Sequence, residues 1–414
     1  MSASSFESPA PWSLAKRIAF RFAFSYLVLY NFPFPFDYLP FLYTLVGWYE
    51  KLLATLFFRP VSEQLFGIPY VLRANGSGDQ AGGYIRVLCL AMIAVVATLL
   101  WSVLDRKRLN YARLHEWLRV YVRFALAFIM LAYGVVKLLP SQFPPPTLDR
   151  LLQPFGDASP MGLLWTLMGA SPMYSFFGGV GETLGGVLLL FRRTTLLGAL
   201  VSIAVMSNVL MMNFGFDVPV KLFTLHIVAM AVFLVLPDLR RLIDFFVLQR
   251  PPYLLPSKPL RIAAVAFCTV LTLYALYTMV GETPTGNPRS PLYGIWNADT
   301  FVINGVTPAP NDPARWRRVV FDNPRWFALQ TMDDSRTRFS LKLDQTKKTM
   351  QVEKRDAVNA KSILRYTQPD PNTIVLDGVI DQQNVHAVLH KAPIPNFRLT
   401  TRGFHWINES PYNR

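Results

Sequence analysis

Glu182 stands in the run Gly178-Gly179-Val180-Gly181-Glu182-Thr183-Leu184-Gly185-Gly186, a carboxylate inside an apolar segment long enough to cross a bilayer. An ionisable side chain at that depth is costly unless it meets a partner or water, so it marks a functional site by default. Other polar residues sit in neighbouring apolar segments: Tyr133 and Lys137, then Asn208 and Asn213, then Lys221 and His226 just after Asp217. At ~1.5 Å per residue, Glu182 lies about 15 Å deep and the others share its outer half of the membrane. This agreement predicts an outward-opening polar cavity of Lys137, Glu182, Asn208, Lys221 and His226. Glu182 forms its floor and is the catalytic candidate, accepting or relaying protons, with Lys137 or His226 as its charge partner. The lysines would draw in an anionic group. A plainer reading stands beside it: the lysines snorkel to the interface, and Asn208 and Glu182 join helices.

Other chemistries find less support. His386 and His390 share one face of a strand, but four residues at ~3.3 Å put them about 13 Å apart. Metal–nitrogen bonds are ~2.1 Å, so the two cannot share an ion without a third partner, and no metal is expected. The two cysteines, Cys89 and Cys268, form no C-x-x-C and fall in apolar segments, where cysteine behaves as a small hydrophobe. There is no P-loop, no G-x-G-x-x-G after a strand and no G-x-S-x-G elbow.

The elements that position these residues follow from composition. The chain has 414 residues, 52% hydrophobic and only 16% charged, with a mean hydropathy of +0.28. Soluble domains carry about a quarter charged residues, so a wholly soluble protein is excluded, as are disorder and a disulfide scaffold. Apolar segments of roughly the ~20 residues needed to span lie near 15–33, 83–104, 118–138, 173–191, 194–214, 218–236 and 260–280. Ser159-Pro160 and Ser171-Pro172 each read as an N-cap with proline in the first turn, bracketing a short helix over 160–170. Segment 40–58, with Trp48, Tyr49, Glu50 and Lys51, reads as an amphipathic helix on the outer surface. Arg21 interrupts the first apolar run and no cleavage site follows, so that span is expected to be retained.

Basic residues alternate between connections. One side holds 16 Lys and Arg against 5 Asp and Glu, including Arg106, Lys107, Arg108, Arg192, Arg193, Arg240 and Arg241; the other holds 7 and 7. The positive-inside rule then predicts a cytoplasmic N-terminus and an outer C-terminal region. It also accounts for most of the net charge of +15, which removes nucleic acid as a partner.

After Gly281 the pattern changes to alternation. Phe339, Leu341 and Leu343 face one way while Arg338, Ser340, Lys342 and Asp344 face the other, the period-2 signature of a half-covered strand. Strands are expected at 294–304, 317–323, 326–332, 337–344, 348–355, 362–368, 373–380 and 385–391, with a further one at 397–407. An antiparallel meander closing into a barrel is the expected solution. The chain therefore divides into an α-helical membrane domain of about seven spans, 1–280, and an outer antiparallel β-barrel, 281–414.

Tyr133-Gly134-x-x-Lys137, Gly181-Glu182-x-x-Gly185-Gly186 and Arg192-Arg193 resemble the four-helix core of the DoxX family of bacterial membrane proteins, over roughly 118–250. Gln142-Phe143-Pro144, Gly156-Asp157, Ser159-Pro160-Met161 and Asp217-Val218-Pro219-Val220-Lys221-Leu222 are similar to a longer, lipocalin-tailed branch. Gly294-Ile295-Trp296 resembles the lipocalin G-x-W, and the resemblance implies that Arg402 covers Trp296. An eight-stranded barrel holds one small ligand or is filled by its own side chains, and both readings stay open.

The resemblance implies a bacterial inner-membrane location with a periplasmic barrel, and a component of a membrane redox or small-molecule system. A quinone-like or small anionic ligand would enter the cavity, and redox chemistry would need a partner protein, because no cofactor motif is visible. Two readings of other classes remain: a proton-coupled transporter, and a non-catalytic membrane scaffold or assembly protein.

Overall fold

The computed structural model describes residues 11–36, 42–139, 141–250, 262–282, 288–354 and 361–403. In chain order its helices are α1 (Leu14–Asn31), α2 (Tyr43–Leu53), α3 (Ala81–Leu104), α4 (Ala112–Leu138), α5 (Leu148–Leu151) and α6 (Pro160–Ala170). Then come α7 (Pro172–Leu190), α8 (Thr195–Gly215), α9 (Lys221–Val235), α10 (Leu239–Phe246) and α11 (Ile262–Glu282). The strands follow: β1 (Gly294–Ile303), β2 (Trp316–Asn323), β3 (Trp326–Thr331), β4 (Arg336–Asp344), β5 (Thr349–Lys354), β6 (Lys361–Asp370), β7 (Thr373–Ile380) and β8 (Gln383–Ala392). A last short helix, α12, covers Arg398–Thr401. By packing, the chain forms two units, one of Met1–Gln142 with Met173–Thr283 and one of Phe143–Pro172 with Pro284–Arg414.

In the first unit, α4 is the central helix, with Leu118, Val122, Leu126 and Met130 all at most 1% exposed. By contrast α3 turns Val95, Leu99, Leu100 and Val103 outward. A helix apolar on its outside as well as its inside suits a lipid surrounding. Five helical stretches among the described residues are long and apolar enough to cross a membrane: Ala81–Leu104, Ala112–Leu138, Pro172–Leu190, Arg192–Gly215 and Lys221–Phe246. Of the other two expected spans, α1 carries Lys16, Arg17 and Arg21, and the apolar stretch of α11 runs over Thr269–Thr278. Arg21 is 2% exposed, yet its guanidinium is satisfied by Tyr111 Oη (2.8 and 3.0 Å), Ser102 Oγ (2.8 Å) and the Asp105 carbonyl (3.1 Å). A helix does form within 40–58, and after α2 it continues through wide turns at Ala54–Phe58 and Val61–Leu65.

The second unit is a closed barrel of eight antiparallel strands in sequential order, with β1 pairing both β2 and β8. Closure leaves no unpaired sheet edge. Its interior is one packed apolar core: Phe301 stacks on Trp316 at 5.1 Å, Phe327 packs on Phe321 and Phe339 at 5.4 and 5.3 Å, and Met350, Leu364, Ile374 and Leu389 are fully buried. The strand expected at 397–407 is not formed. Pro393 and Pro395 lead out of β8, α12 occupies 398–401, and the closed sheet offers that segment no edge to join. Residues 404–407 of that expectation lie outside the described residues.

Candidate functional site

Two small residues bring α4 and α7 into backbone contact. A Cβ on Gly134 would lie 2.3 Å from Thr183 Oγ1 and 3.0 Å from the Gly179 carbonyl. One on Gly179 would lie 2.9 Å from the Gly134 carbonyl. Glycine alone fits at such a crossing, and close approach of this kind drives helix association in lipid. Lys137 follows Gly134 by three residues and Glu182 follows Gly179 by three, so each ionisable group stands on the same face as its glycine. At this crossing the Lys137 ammonium donates to Glu182 Oε1, and the residues are 7% and 1% exposed.

The pair is incompletely satisfied. Glu182 Oε2 and the neighbouring Thr183 Oγ1 are buried without a hydrogen-bond partner among the described residues. A buried ion pair offsets its desolvation only when the remaining lone pairs are also occupied. Here an acceptor oxygen at the crossing of two helices is left without a donor among the described residues.

The other residues expected in a cavity have partners of their own. Asp79 caps α9, its carboxylate accepting from the N–H groups of Lys221 (2.9 Å) and Leu222 (3.0 Å). The Lys221 ammonium lies 2.8 Å from Asp217 and 3.8 Å from Asp79. Asn213 donates to Thr224 Oγ1 at 2.9 Å, joining α8 to α9. Asn208 is on an exposed side of α8. His226 bonds the Leu222 carbonyl through Nδ1 at 2.7 Å, which makes Nδ1 the protonated nitrogen of the neutral ring. Nε2 then accepts from the Tyr26 hydroxyl at 2.6 Å, and Tyr30 stacks on the imidazole at 4.0 Å and 5°. Thus Lys137 and Glu182 come together, whereas His226 belongs to an aromatic group with α1. Sequence reasoning missed Tyr26 and Tyr30, since 200 residues separate Tyr26 from its partner.

In the barrel, Trp296 is 1% exposed and its indole N–H donates to the Leu292 carbonyl at 2.9 Å. The Lys391 ammonium lies over its ring, 5.5 Å from the centroid. Gly294 has φ +146°, a conformation that L side chains rarely adopt, so the first position of the G-x-W run is held to glycine by its backbone. Arg402 caps the C-terminal end of α12 and is exposed. His386 pairs with Asp377 at 2.6 Å and His390 with Asp299 at 2.8 Å, on the outer surface. Among the described residues no three His, Cys, Asp or Glu side chains form a group able to hold a metal ion.

A second buried carboxylate, one that sequence reasoning passed over, joins residues 143–172 to the barrel. Asp149, 1% exposed, accepts from Arg338 Nε (2.8 Å) and Nη2 (2.6 Å), and lies 3.2 Å from Arg336 Nη1. Arg336 also donates to the Asp149 carbonyl at 2.6 Å. Asp322 of β2 accepts from the N–H groups of Leu148 (2.8 Å) and Asp149 (2.9 Å), satisfying the start of α5. Leu148 packs with Ile295, Val320 and Ala328 on the outward face of β1, β2 and β3. Burial pushes the Asp322 carboxyl above its usual range, with the two backbone donors and Arg338 pulling it back. Burial likewise lowers the Arg336 guanidinium, which Asp149 counteracts.

No family model matches the chain. No solved structure matches it. Among curated proteins it is similar to the "Uncharacterized protein YwoB" of Bacillus subtilis (strain 168), 32% identical over 126 residues, which is 30% of this chain and 79% of that protein. The chain belongs to the family of that protein.

Proposed function

We propose that this is an integral membrane protein of the DoxX type whose functional centre is the Lys137–Glu182 pair, a component of a membrane redox or small-molecule handling system. The single observation that carries the reading is the orphaned Glu182 Oε2, buried beside an ammonium that already satisfies the other oxygen. With its charge offset by Lys137, Glu182 presents an acceptor rather than an empty cationic site. Its complement is therefore a hydrogen-bond donor such as the hydroxyl of a quinol-like ring, in preference to a small anion. On donation from such a group, Glu182 is the proton acceptor and Lys137 holds the resulting charge balance.

The reading includes seven spans, a cytoplasmic N-terminus and a lipocalin-like barrel on the periplasmic side of a bacterial inner membrane. Parity supports the span count. Residues 143–172 pack against the barrel strands, so both stand on one side of the bilayer. Between them run α7, α8 and α9, which are long and apolar enough to cross, and α11. Three crossings would separate the two stretches; α11 as a fourth reunites them. The Bacillus relative is in keeping with a bacterial setting.

A scaffold is the second reading, favoured by the packed apolar core of the barrel, which suits a structural or partner-binding body. Native mass spectrometry with lipid extraction, on the wild type and on Glu182→Gln, separates the two. A small molecule carried by the wild type and lost in the variant supports a ligand site. Two equally folded, equally empty proteins transfer the weight to the scaffold.

A further inference from the structure

Tyr133 differs from its neighbours on α4. Met130, Leu131, Ala132 and Lys137 are at most 7% exposed, whereas Tyr133 is 40% exposed. Other helices nevertheless stand around it. Its ring packs on Phe223 of α9 at 5.8 Å, and it lies within electrostatic reach of Glu182 on α7 and of Tyr30 on α1. A side chain with neighbours on three helices and that much free surface lines a recess between them. All four helices belong to one compact unit. The recess has an aromatic wall. Phe223 and His226, three residues apart, share a face of α9. Tyr30 stacks on the His226 imidazole, and Tyr26, one turn earlier on α1, bonds its Nε2. Tyr133 stands one turn before Lys137 on the same face of α4, so this wall begins beside the ion pair.

We propose that Tyr133 is the ring-binding residue for the ligand of Glu182, and that it selects a flat hydroxylated aromatic over an aliphatic alcohol of the same size. The inference rests on reading the Lys137–Glu182 pair as the functional centre, and it adds what that pair does not supply. A carboxylate oxygen accepts from any hydroxyl, so Glu182 Oε2 alone does not tell a phenol from an alcohol. Tyr133 does. Packing of one ring on another adds a geometric preference beyond the apolar area buried. A flat ring laid against Tyr133 and Phe223 turns a hydroxyl on its edge toward Glu182. The phenol is also the more acidic donor, with a pKa of about 10 as in tyrosine, which strengthens its bond to a carboxylate. His226 has a different part. Nδ1 is held by the Leu222 carbonyl and Nε2 by Tyr26, so the imidazole enters the wall as an aromatic face and not as a base.

The test uses full-length protein in nanodiscs and two redox-inert probes with the same chain, 4-decylphenol and trans-4-decylcyclohexanol. Bound probe is counted by mass spectrometry above protein-free nanodiscs of the same lipid. Wild type should bind the phenol about fivefold more tightly than the alcohol, which is about 1 kcal/mol. Tyr133→Phe keeps the ring and should keep that preference. Tyr133→Leu keeps apolar volume without the ring and should reduce the preference to within about twofold. Each value is a ratio within one protein, so a modest loss of stability leaves it readable. Equal uptake of the two probes by wild type overturns the inference, as does uptake of neither, and as does a preference that survives Tyr133→Leu. Glu182→Gln separates the two levels. If the preference follows Tyr133 while Glu182→Gln leaves phenol uptake unchanged, the pair is not the functional centre and the ring site stands. If Glu182→Gln lowers uptake of both probes and wild type shows no preference, the pair stands and Tyr133 is not its selector.

Discussion

Glu182 and Asp149 are both carboxylates at 1% exposure, and their surroundings differ in one respect. Asp149 meets two guanidinium groups and its backbone N–H donates to Asp322, so every polar atom of Asp149 has a partner. Glu182 meets one ammonium and keeps an orphaned oxygen. A saturated buried network fixes a structure; an unsaturated one stores the capacity to bind. The comparison teaches that burial alone does not identify a site, whereas an unfilled valence at a rigid position does.

The largest expected effect would come from Asp149→Ala, which takes from Arg336 and Arg338 the buried carboxylate that they share. Removal of one partner from a buried network costs about 3–5 kcal/mol, and denaturant unfolding followed by the tryptophans of the barrel should read it. An effect below about 1 kcal/mol would erase the contrast by showing that Asp149 is not structural.

Next in size is a trio at the other carboxylate. Lys137→Met strips Glu182 of its counter-ion and should lose about 3 kcal/mol, while Lys137→Met with Glu182→Met should return to within about 1 kcal/mol of wild type, because apolar replacement of a buried pair is near neutral. Thermal melts of the three proteins in detergent check it. A double variant as unstable as the single one would make the pair a structural element like Asp149 and collapse the comparison.

The smallest effect is pH-dependent. Asp322 has a folded pKa above its ordinary 3.8, chiefly through burial. Its contribution to stability is therefore full below the unfolded value and lost as pH rises through the folded one. Barrel melts between about pH 3 and about pH 7 should show this decline in wild type and lose it in Asp322→Asn. An unchanged slope would assign the titration elsewhere.

Much of the barrel could be read in advance. Where one strand face is solvated, as in β4, the order Phe339, Ser340, Leu341, Lys342, Leu343 displays the pleat directly. Where both faces are covered the alternation fails, and that failure was the unread signal. Val319, Val320 and Phe321 on β2, and Phe327, Ala328 and Leu329 on β3, are continuous apolar runs because α5 covers the outward residue of each. In the helical unit, depth counting singled out Lys137 and Glu182, and the glycines three residues before each explain why those two meet. It could not separate them from Lys221 and His226, because depth carries no information about which way a helix faces. The seam between 143–172 and the barrel, inside the second unit, was also hidden, since the two are far apart in the chain and no periodicity records a contact between them.

The junction at Asp149 has a consequence in time. Its partner Arg336 lies 187 residues further along the chain. At roughly 5–20 residues per second, a ribosome supplies that arginine some 10–40 s after the aspartate. Within that interval the six helices α6 to α11 and the strands β1 to β3 are made, and until Arg336 and Arg338 follow, Asp149 lacks the two guanidinium groups that it meets in the folded chain. For most of that time Leu148 has no strand to cover, so the connection is among the last parts of the chain to be buried.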